Sequence, residues 1–259
     1  MSDLTVTIVQ TELAWQAVED SLSLLDSRLD PIDAPTDLVI LPEMFSTGFS
    51  MEAPRLAESM EGRAVQWMRA KSADMGADIT GSLIITEQGR FYNRLVWVKP
   101  DGTVQTYDKR HLFAYAGEDR VYTAGQSRLT VTLKGWRIRP FICYDLRFPT
   151  WCRNIDLAYD AAIFVANWPA PRAEHWKALL RARAIENQSY VIGVNRVGRD
   201  GNGLEYSGDS VAVGPQGAVL FEQAWQECST TLTLQRSVLE AYRAAFPFWK
   251  DADGDRSAS

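Results

Sequence analysis

The 259-residue sequence is poor in the residues that build disulfide frameworks and metal clusters. It contains 3 cysteines, Cys143, Cys152 and Cys228, with no Cys-x-x-Cys pair among them. An odd number of scattered cysteines is typical of reduced thiols, so no disulfide is expected. The 2 histidines, His111 and His175, are too few and too far apart in the chain to form a ligand cluster. The sequence therefore predicts no metal site.

Long apolar segments and basic runs are also missing. No apolar stretch approaches the roughly 20 residues that a membrane-spanning helix needs. The opening residues, MSDLTVTIVQ, lack the basic and then apolar pattern of a secretory signal, so a cytoplasmic location is expected. The 33 acidic residues outnumber the 27 basic ones and give a net charge of −6. This acidic balance argues against nucleic acid or an anionic membrane as a partner.

Short β-branched runs alternate with helical patterns along most of the chain. The predicted strands are Leu4–Gln10, Asp37–Leu41, Ala77–Thr86, Trp136–Cys143, Ala161–Ala166 and Tyr190–Asn195, and the predicted helices are Trp15–Asp30, Gly62–Gly76 and Glu174–Gln188. Hairpins are expected at Pro100–Gly102 and Gly214–Gly217. This alternation, without a repeat or linker, predicts a single α/β domain over residues 1–250, followed by a polar tail over 251–259. The first strand runs into Gln10-Thr11-Glu12 instead of a G-x-G-x-x-G turn, so no dinucleotide cofactor is expected.

Three chemically capable side chains follow predicted strands. Glu43 ends the run LVILPE, Lys109 lies in YDKRHLF, and Cys143 ends PFIC. Sheets of α/β proteins present ligand-binding groups at such strand ends. A carboxylate among apolar neighbours can act as a general base, an ammonium can stabilise an oxyanion, and a cysteine in a strand-to-turn junction can act as a nucleophile. Taken singly, the three residues also fit a surface glutamate, a solvated basic turn and a buried, inert thiol.

In the order Glu43, Lys109 and Cys143, these motifs resemble the nitrilase superfamily of carbon–nitrogen hydrolases. The resemblance extends from Val6 to about Ala252 and includes LPEMFSTGF, YDKRHLF, FICYDLRFP, NWP, RARAIENQ and FPFWKDAD. It implies a four-layer α-β-β-α sandwich and a catalytic Glu–Lys–Cys triad. It also implies that Glu118 holds Lys109 or the substrate in place, and that the protein is a homodimer or a higher homo-oligomer that uses no cofactor.

Within that superfamily, PEMFSTGF and the region of NWP are most similar to the omega-amidases. Those enzymes hydrolyse the terminal amide of short dicarboxylic monoamides, such as 2-oxoglutaramate and 2-oxosuccinamate. The resemblance implies attack by Cys143, a thioester intermediate, and an oxyanion held by Lys109 and the backbone N–H of Tyr144. A free carboxylate on the substrate would suit a bidentate arginine. Arg172 and Arg147 are the candidates, with Trp168 in the neighbouring loop.

Other hypotheses stay open at this point. Cys143 could pair with His111 or His175 as in papain-like proteases, although no local signature of that family is present. A binding or scaffold protein on the same fold is disfavoured by the intact triad. Another branch of the superfamily, acting on nitriles or N-carbamoyl compounds, would share the triad. Either arginine could instead form a structural salt bridge.

Overall fold

The computed structural model describes residues 2–32 and 34–252. The strands are β1 Leu4–Gln10, β2 Leu38–Ile40, β3 Asp78–Glu87, β4 Arg90–Val98, β5 Val104–Asp108, β6 Val131–Leu133, β7 Trp136–Ile142, β8 Ala161–Ala166, β9 Tyr190–Asn195, β10 Val197–Arg199, β11 Glu205–Val213, β12 Val219–Ala224 and β13 Cys228–Leu234. The helices are α1 Val18–Leu29, α2 Ala53–Leu56, α3 Arg63–Met75, α4 Glu118–Val121, α5 Pro149–Cys152, α6 Ala173–Asn187 and α7 Arg236–Ala245.

The strands form two sheets. The first has the order β13-β1-β2-β3-β4-β5, and the second has the order β10-β11-β9-β8-β7-β6, with β12 also paired to β11. Each sheet has a parallel centre, made by β1, β2 and β3 in the first and by β7, β8 and β9 in the second. Antiparallel hairpins extend both sheets outwards. Carboxyl ends of parallel strands collect at one edge of a sheet, which is where α/β proteins place their sites.

Four layers surround a continuous apolar core. Val6 and Ile40 of the first sheet pack in one cluster with Ile138 and Ile163 of the second. The outer face of the first sheet packs against α1 and α3, and the outer face of the second packs against α6. Because both faces of each sheet are covered, β8 is buried at every position, which explains its unbroken apolar sequence AAIFVA. The predicted α-β-β-α sandwich and single domain are confirmed.

Most predicted elements are present, with corrections at their ends. β1, β8 and β9 have the predicted bounds, and α3 lies between the predicted limits Gly62 and Gly76. The first helix is shorter than predicted: it begins at Val18, because Gln16 has a φ of 55° that no α-helix tolerates. The strand predicted to include Cys143 ends one residue earlier, since Cys143 also has a positive φ.

Several elements near the carboxyl terminus were not predicted. β13 pairs with β1 along its whole length, from Leu4 opposite Leu234 to Gln10 opposite Cys228, although its sequence CSTTLTL is only moderately apolar. The helix α7 follows directly and packs Leu239 into the core between the sheets. Of the predicted polar tail, all but residues 251 and 252 lie outside the described residues. None of the helices in 2–32 and 34–252 has the length and apolar character needed to cross a membrane.

Candidate active site

Glu43, Lys109 and Cys143 meet where strand ends of the two sheets come together. Glu43 lies three residues after β2, Lys109 comes directly after β5, and Cys143 comes directly after β7. The first two therefore belong to one sheet and the cysteine to the other. The Nζ atom of Lys109 lies 2.8 Å from Oε1 of Glu43, and the charges of both residues act on the thiol of Cys143. The structure thus brings together the three residues that the sequence singled out.

The carboxylate of Glu43 is fully buried and held on both oxygens. Its Oε1 accepts hydrogen bonds from Lys109 and from Nδ2 of Asn93, each at 2.8 Å. Its Oε2 accepts the backbone N–H of Asn167 at 2.8 Å, and the side chain of Asn167 donates to the carbonyl of Glu43. These contacts come from both sheets and fix the orientation of the carboxylate.

Lys109 lies between two buried glutamates. Its Nζ is 2.9 and 3.0 Å from the two carboxylate oxygens of Glu118, in addition to its contact with Glu43. Burial lowers the pKa of Lys109, but the charges of Glu118 and Glu43 outweigh that effect and hold it above its ordinary value. Burial also raises the pKa of Glu118, with Lys109 opposing the rise and Glu43 adding to it. These two carboxylates therefore favour the protonated form of Lys109, whose charge acts on the thiol of Cys143.

Cys143 sits in a sharp turn between β7 and a short 3₁₀ helix, Cys143–Arg147. Its φ of 43° is uncommon for a residue with a side chain and projects the thiol from the end of the strand. Burial raises the pKa of the thiol well above the ordinary value, the charge of Glu43 adds to the rise, and Lys109 opposes it. The resting side chain is therefore a neutral thiol, which needs a base to become a nucleophile.

Asp145 links the cysteine turn to the segment that carries the lysine. The carboxylate is fully buried and accepts the N–H of Ile142 at 3.1 Å and the hydroxyl of Tyr107 at 2.6 Å. It also bonds the backbone N–H and the Nδ1 of His111, at 3.0 and 2.8 Å. Since Lys109 lies between Tyr107 and His111, one carboxylate fixes the segment that carries Lys109 relative to the turn that carries Cys143.

Three of these supporting residues, Asn93, Asn167 and Asp145, were not predicted from the sequence. Asn93 is the first buried residue of β4 (RFYNRLVWV) and lies two residues before its apolar run, and Asn167 and Asp145 each come shortly after an apolar strand, in NWP and FICYDLRFP. A buried polar residue needs a partner, so an amide or carboxylate next to an apolar run was the available signal.

A cavity of about 360 Å³ opens in front of the cysteine. Its wall includes Cys143 and Lys109, and aromatic side chains such as Phe49 and Trp15 supply apolar surface. The four predicted substrate contacts also line it, and these are Tyr144, Arg147, Trp168 and Arg172. A cavity of this size suits a small molecule and has a reactive end at the thiol.

The two arginines of the cavity have no acidic partner. Throughout residues 2–32 and 34–252, neither guanidinium forms a salt bridge with Asp or Glu. Arg147 donates to Nδ1 of His175 at 3.2 Å and lies 4.6 Å from the centre of the Trp168 ring. Arg172 lies 5.7 Å from the centre of the Phe113 ring. In the described residues, neither arginine therefore forms the structural salt bridge that was the alternative to substrate binding.

The histidines do not complete a papain-like pair. His111 directs Nδ1 at Asp145 and stacks on Phe148 with ring centres 3.8 Å apart, and it is not part of the cavity wall. His175 bonds Arg147 instead of the thiol. Within the described ranges, no group of three or more His, Cys, Asp or Glu side chains is arranged to hold a metal ion.

The family follows from comparison with known proteins. The model of the carbon-nitrogen hydrolase family matches residues 5–244. The chain belongs to this family. It is 47% identical over 254 residues to the omega-amidase YafV of Escherichia coli K12, covering 98% of each chain. It is 28% identical to the 2-oxoglutaramate amidase of Bacillus subtilis, over 97% of this chain and 98% of the relative.

A solved structure gives the same family and fold. The crystal structure of XC1258 from Xanthomonas campestris, a CN-hydrolase superfamily protein with an arsenic adduct in the active site, superposes with a TM-score of 0.96. It is 46% identical to this carbon-nitrogen hydrolase and covers 98% of each chain. The predicted family is confirmed. The protein is an amidohydrolase of the nitrilase superfamily, acting on carbon–nitrogen bonds other than peptide bonds in a small-molecule substrate.

Proposed function

We propose that this carbon-nitrogen hydrolase is an omega-amidase, which converts short dicarboxylic monoamides such as 2-oxoglutaramate and 2-oxosuccinamate to the acid and ammonia. The observation that carries the proposal is that Arg147 and Arg172 line the same cavity as the thiol of Cys143. Two cations without acidic partners among the described residues suit a substrate that carries a carboxylate at its far end. The activities of the E. coli and B. subtilis relatives support the same substrate class.

The first half of the proposed reaction forms a thioester. Because the raised pKa of Cys143 keeps the thiol neutral, Glu43 takes the proton as sulfur attacks the amide carbon. The carbonyl oxygen becomes negative in the tetrahedral intermediate. The ammonium of Lys109 and the backbone N–H of Tyr144 stabilise this oxyanion, a contribution that is large in a site from which water is excluded. Glu43 then returns its proton to the leaving nitrogen, the C–N bond breaks, and ammonia departs.

The second half hydrolyses the thioester. Glu43 removes a proton from water, the resulting hydroxide adds to the thioester carbon, and the same oxyanion donors act again. The C–S bond breaks, the carboxylic acid leaves, and the proton on Glu43 restores the thiol of Cys143. The fixed orientation of the Glu43 carboxylate, held from both sheets, supports its use in both steps.

The far end of the substrate is assigned to the two arginines. Arg172 follows the loop that carries Trp168, whose Nε1 donates to the carbonyl of Arg172 at 2.8 Å. Arg147 lies against the ring of the same tryptophan. Trp168 therefore supports both cations, and a carboxylate between them would receive charge-assisted hydrogen bonds.

We also propose that the enzyme acts in the cytoplasm as a homodimer or a higher homo-oligomer. The terminal aromatic residues support the oligomer. Phe246 is 57% exposed and contacts Phe248, with ring centres 5.0 Å apart. Phe248 is half-buried, so the exposed ring of Phe246 is the aromatic surface that a partner subunit would cover.

Ammonia release tests the proposal directly. The substrates are 2-oxoglutaramate, a neutral amide of the same length, the matching nitrile and an N-carbamoyl compound. The wild type should prefer 2-oxoglutaramate, and Cys143→Ser and Glu43→Gln should abolish turnover, because a hydroxyl is a weaker nucleophile and an amide accepts no proton. Cys228→Ser, which changes a half-buried thiol outside the cavity, is the matched control and should remain active. A preference for the nitrile or the carbamoyl compound would contradict the omega-amidase assignment.

A further inference from the structure

Asn93 contacts both glutamates of the active site. Its side chain is fully buried in β4, and its Nδ2 donates to Oε1 of Glu43 at 2.8 Å and to Oε1 of Glu118 at 3.1 Å. The Nζ of Lys109 donates to the same two oxygens, at 2.8 and 3.0 Å. The Asn93 amide and the Lys109 ammonium thus donate to the same two carboxylate oxygens. The two nitrogens and the two oxygens form a ring in which donors and acceptors alternate.

The orientation of this amide is determined by its neighbours. Carboxylates only accept hydrogen bonds when ionised, so the NH₂ group of Asn93 must face them. Its Oδ1 accepts the hydroxyl of Ser82 at 2.8 Å, and the same hydroxyl oxygen accepts the backbone N–H of Met44 at 2.9 Å. Met44 directly follows Glu43 and has a φ of 44°. Ser82 therefore ties the amide to the strained turn that carries Glu43.

The charges of the cluster explain why a neutral donor is needed. Two buried carboxylates, Glu43 and Glu118, face the ammonium of Lys109. The other titratable groups that act on them are the Cys143 thiol and the Tyr122 hydroxyl, whose pKa values are raised by burial, so neither adds a charge to the cluster. A pair of neighbouring carboxylates with one cation tends to bind a proton that belongs to the pair, and burial together with the charge of Glu43 raises the pKa of Glu118. A proton shared by the pair would weaken the carboxylate of Glu43 as a base. A donor that bonds both carboxylates opposes this proton uptake without adding a charge.

We propose that Asn93, aimed by Ser82, is a positioning residue that opposes proton uptake by the Glu43–Glu118 pair and so sets the lowest pH at which the enzyme turns over. The inference rests on the proposed role of Glu43 as the general base. It assigns a function to two buried polar residues that do not line the cavity.

The test compares pH–rate profiles of the wild type, Asn93→Ala and Ser82→Ala for ammonia release. A hydrogen bond to a charged group contributes enough free energy that its loss should shift the acidic limb of the kcat–pH profile to higher pH, by about one unit. In Asn93→Ala, kcat at acidic pH should fall about tenfold while KM changes little. Ser82→Ala should move the limb in the same direction by less, because Asn93 keeps its contacts to the carboxylates.

Asn154→Ala is the matched control. Asn154 is also buried and makes several hydrogen bonds, to Tyr159 and Asn187, but it is not part of the cavity wall. This variant should lose stability and keep the wild-type pH profile. A shift in Asn154→Ala equal to that in Asn93→Ala would show a general structural effect and overturn the inference.

The remaining outcomes separate this inference from the proposed function. If Glu43→Gln is inactive and Asn93→Ala keeps the wild-type acid limb, the inference is wrong and the mechanism stands. If Glu43→Gln retains turnover, the base is not Glu43, and the inference and the proposed mechanism are both wrong. If Asn93→Ala does not fold, Ser82→Ala decides, and an unmoved acid limb in that variant overturns the inference.

Discussion

Replacing Arg172 with alanine should convert a carboxylate-preferring amidase into one that is nearly indifferent to the far end of its substrate. The guanidinium lines the cavity, has no acidic partner in the described ranges, and lies against the ring of Phe113. The change removes a cation and leaves the substrate carboxylate without its bidentate donor. Neutral amides lose only packing contacts, so they should be affected much less.

The magnitude follows from the burial of the pair. Truncating one partner of a fully buried charge pair costs about 2–5 kcal/mol. Arg172 is only half-buried, so the lower part of that range, about 2–3 kcal/mol, applies. This corresponds to a loss of roughly 30- to 150-fold in kcat/KM for the dicarboxylic monoamide. Arg172→Lys keeps the charge and loses the planar fork, so it should fall between the wild type and the alanine variant.

The assay measures ammonia release from 2-oxoglutaramate and from a neutral amide of the same length, and reports the ratio of their kcat/KM values. Arg147→Ala is assayed in parallel, since it is the second candidate. Arg181→Ala, an exposed arginine of α6 that is not part of the cavity wall, is the control and should leave the ratio unchanged. An unchanged ratio in both Arg172→Ala and Arg147→Ala would refute the assignment of the carboxylate site. A wild type without any preference would refute the omega-amidase proposal and leave the general amidase in place.

Three further predictions concern reactivity, stability and assembly. Limiting iodoacetamide should alkylate Cys143 before Cys152, which is 1% exposed, and before Cys228, because only Cys143 has a glutamate placed to accept its proton as sulfur attacks. Peptide mapping that finds Cys143 the slowest thiol would contradict its role. Burial raises the pKa of Asp160, but hydrogen bonds from Arg137 and Arg243 outweigh it and hold the value at about 2. Because this lies below the ordinary 3.8, Asp160 stabilises the fold by about 2 kcal/mol above pH 4 and loses that contribution towards pH 2. Urea unfolding of Asp160→Asn should therefore show the loss at pH 7 and a flatter acid dependence. Light scattering at micromolar concentration should report a dimer or a larger oligomer, and a monomer would contradict the interface.

The fold could be predicted where the pattern of apolar residues is compatible with only one type of element. The sequence AAIFVA is apolar at each position, which suits a strand covered on both faces, and β8 is that strand. The sequence CSTTLTL has no such unbroken pattern, and it becomes β13 because its backbone completes the edge of β1. The first helix begins at Val18 and not at Trp15, because Gln16 has a positive φ that the spacing of the leucines does not reveal, and Trp15 and Gln16 form a turn. Their turn forms part of the cavity wall instead.

The three central residues of the candidate site could be picked out from the sequence, but the residues that hold them in place could not. Glu43, Lys109 and Cys143 each follow a strand, a position that can be read along the chain. The role of Asn93 depends on its hydrogen bond to Glu118, which lies 25 residues further along the chain, and this contact exists only in the folded protein. Asp145 is similar, because its partner His111 lies 34 residues away on a different sheet edge.

The protonation states restrict how the reaction can proceed. The charges of Glu118 and Glu43 keep the pKa of Lys109 above its ordinary value, so the ammonium has little tendency to give up a proton. In the proposed mechanism its contribution is therefore electrostatic, and the proton that ammonia needs on departure comes from another group. The raised pKa of the Cys143 thiol means that its proton is present at rest and is transferred only as sulfur attacks. Glu43 contacts the lysine and acts on the thiol, so in the proposed mechanism it alone receives this proton and passes it on.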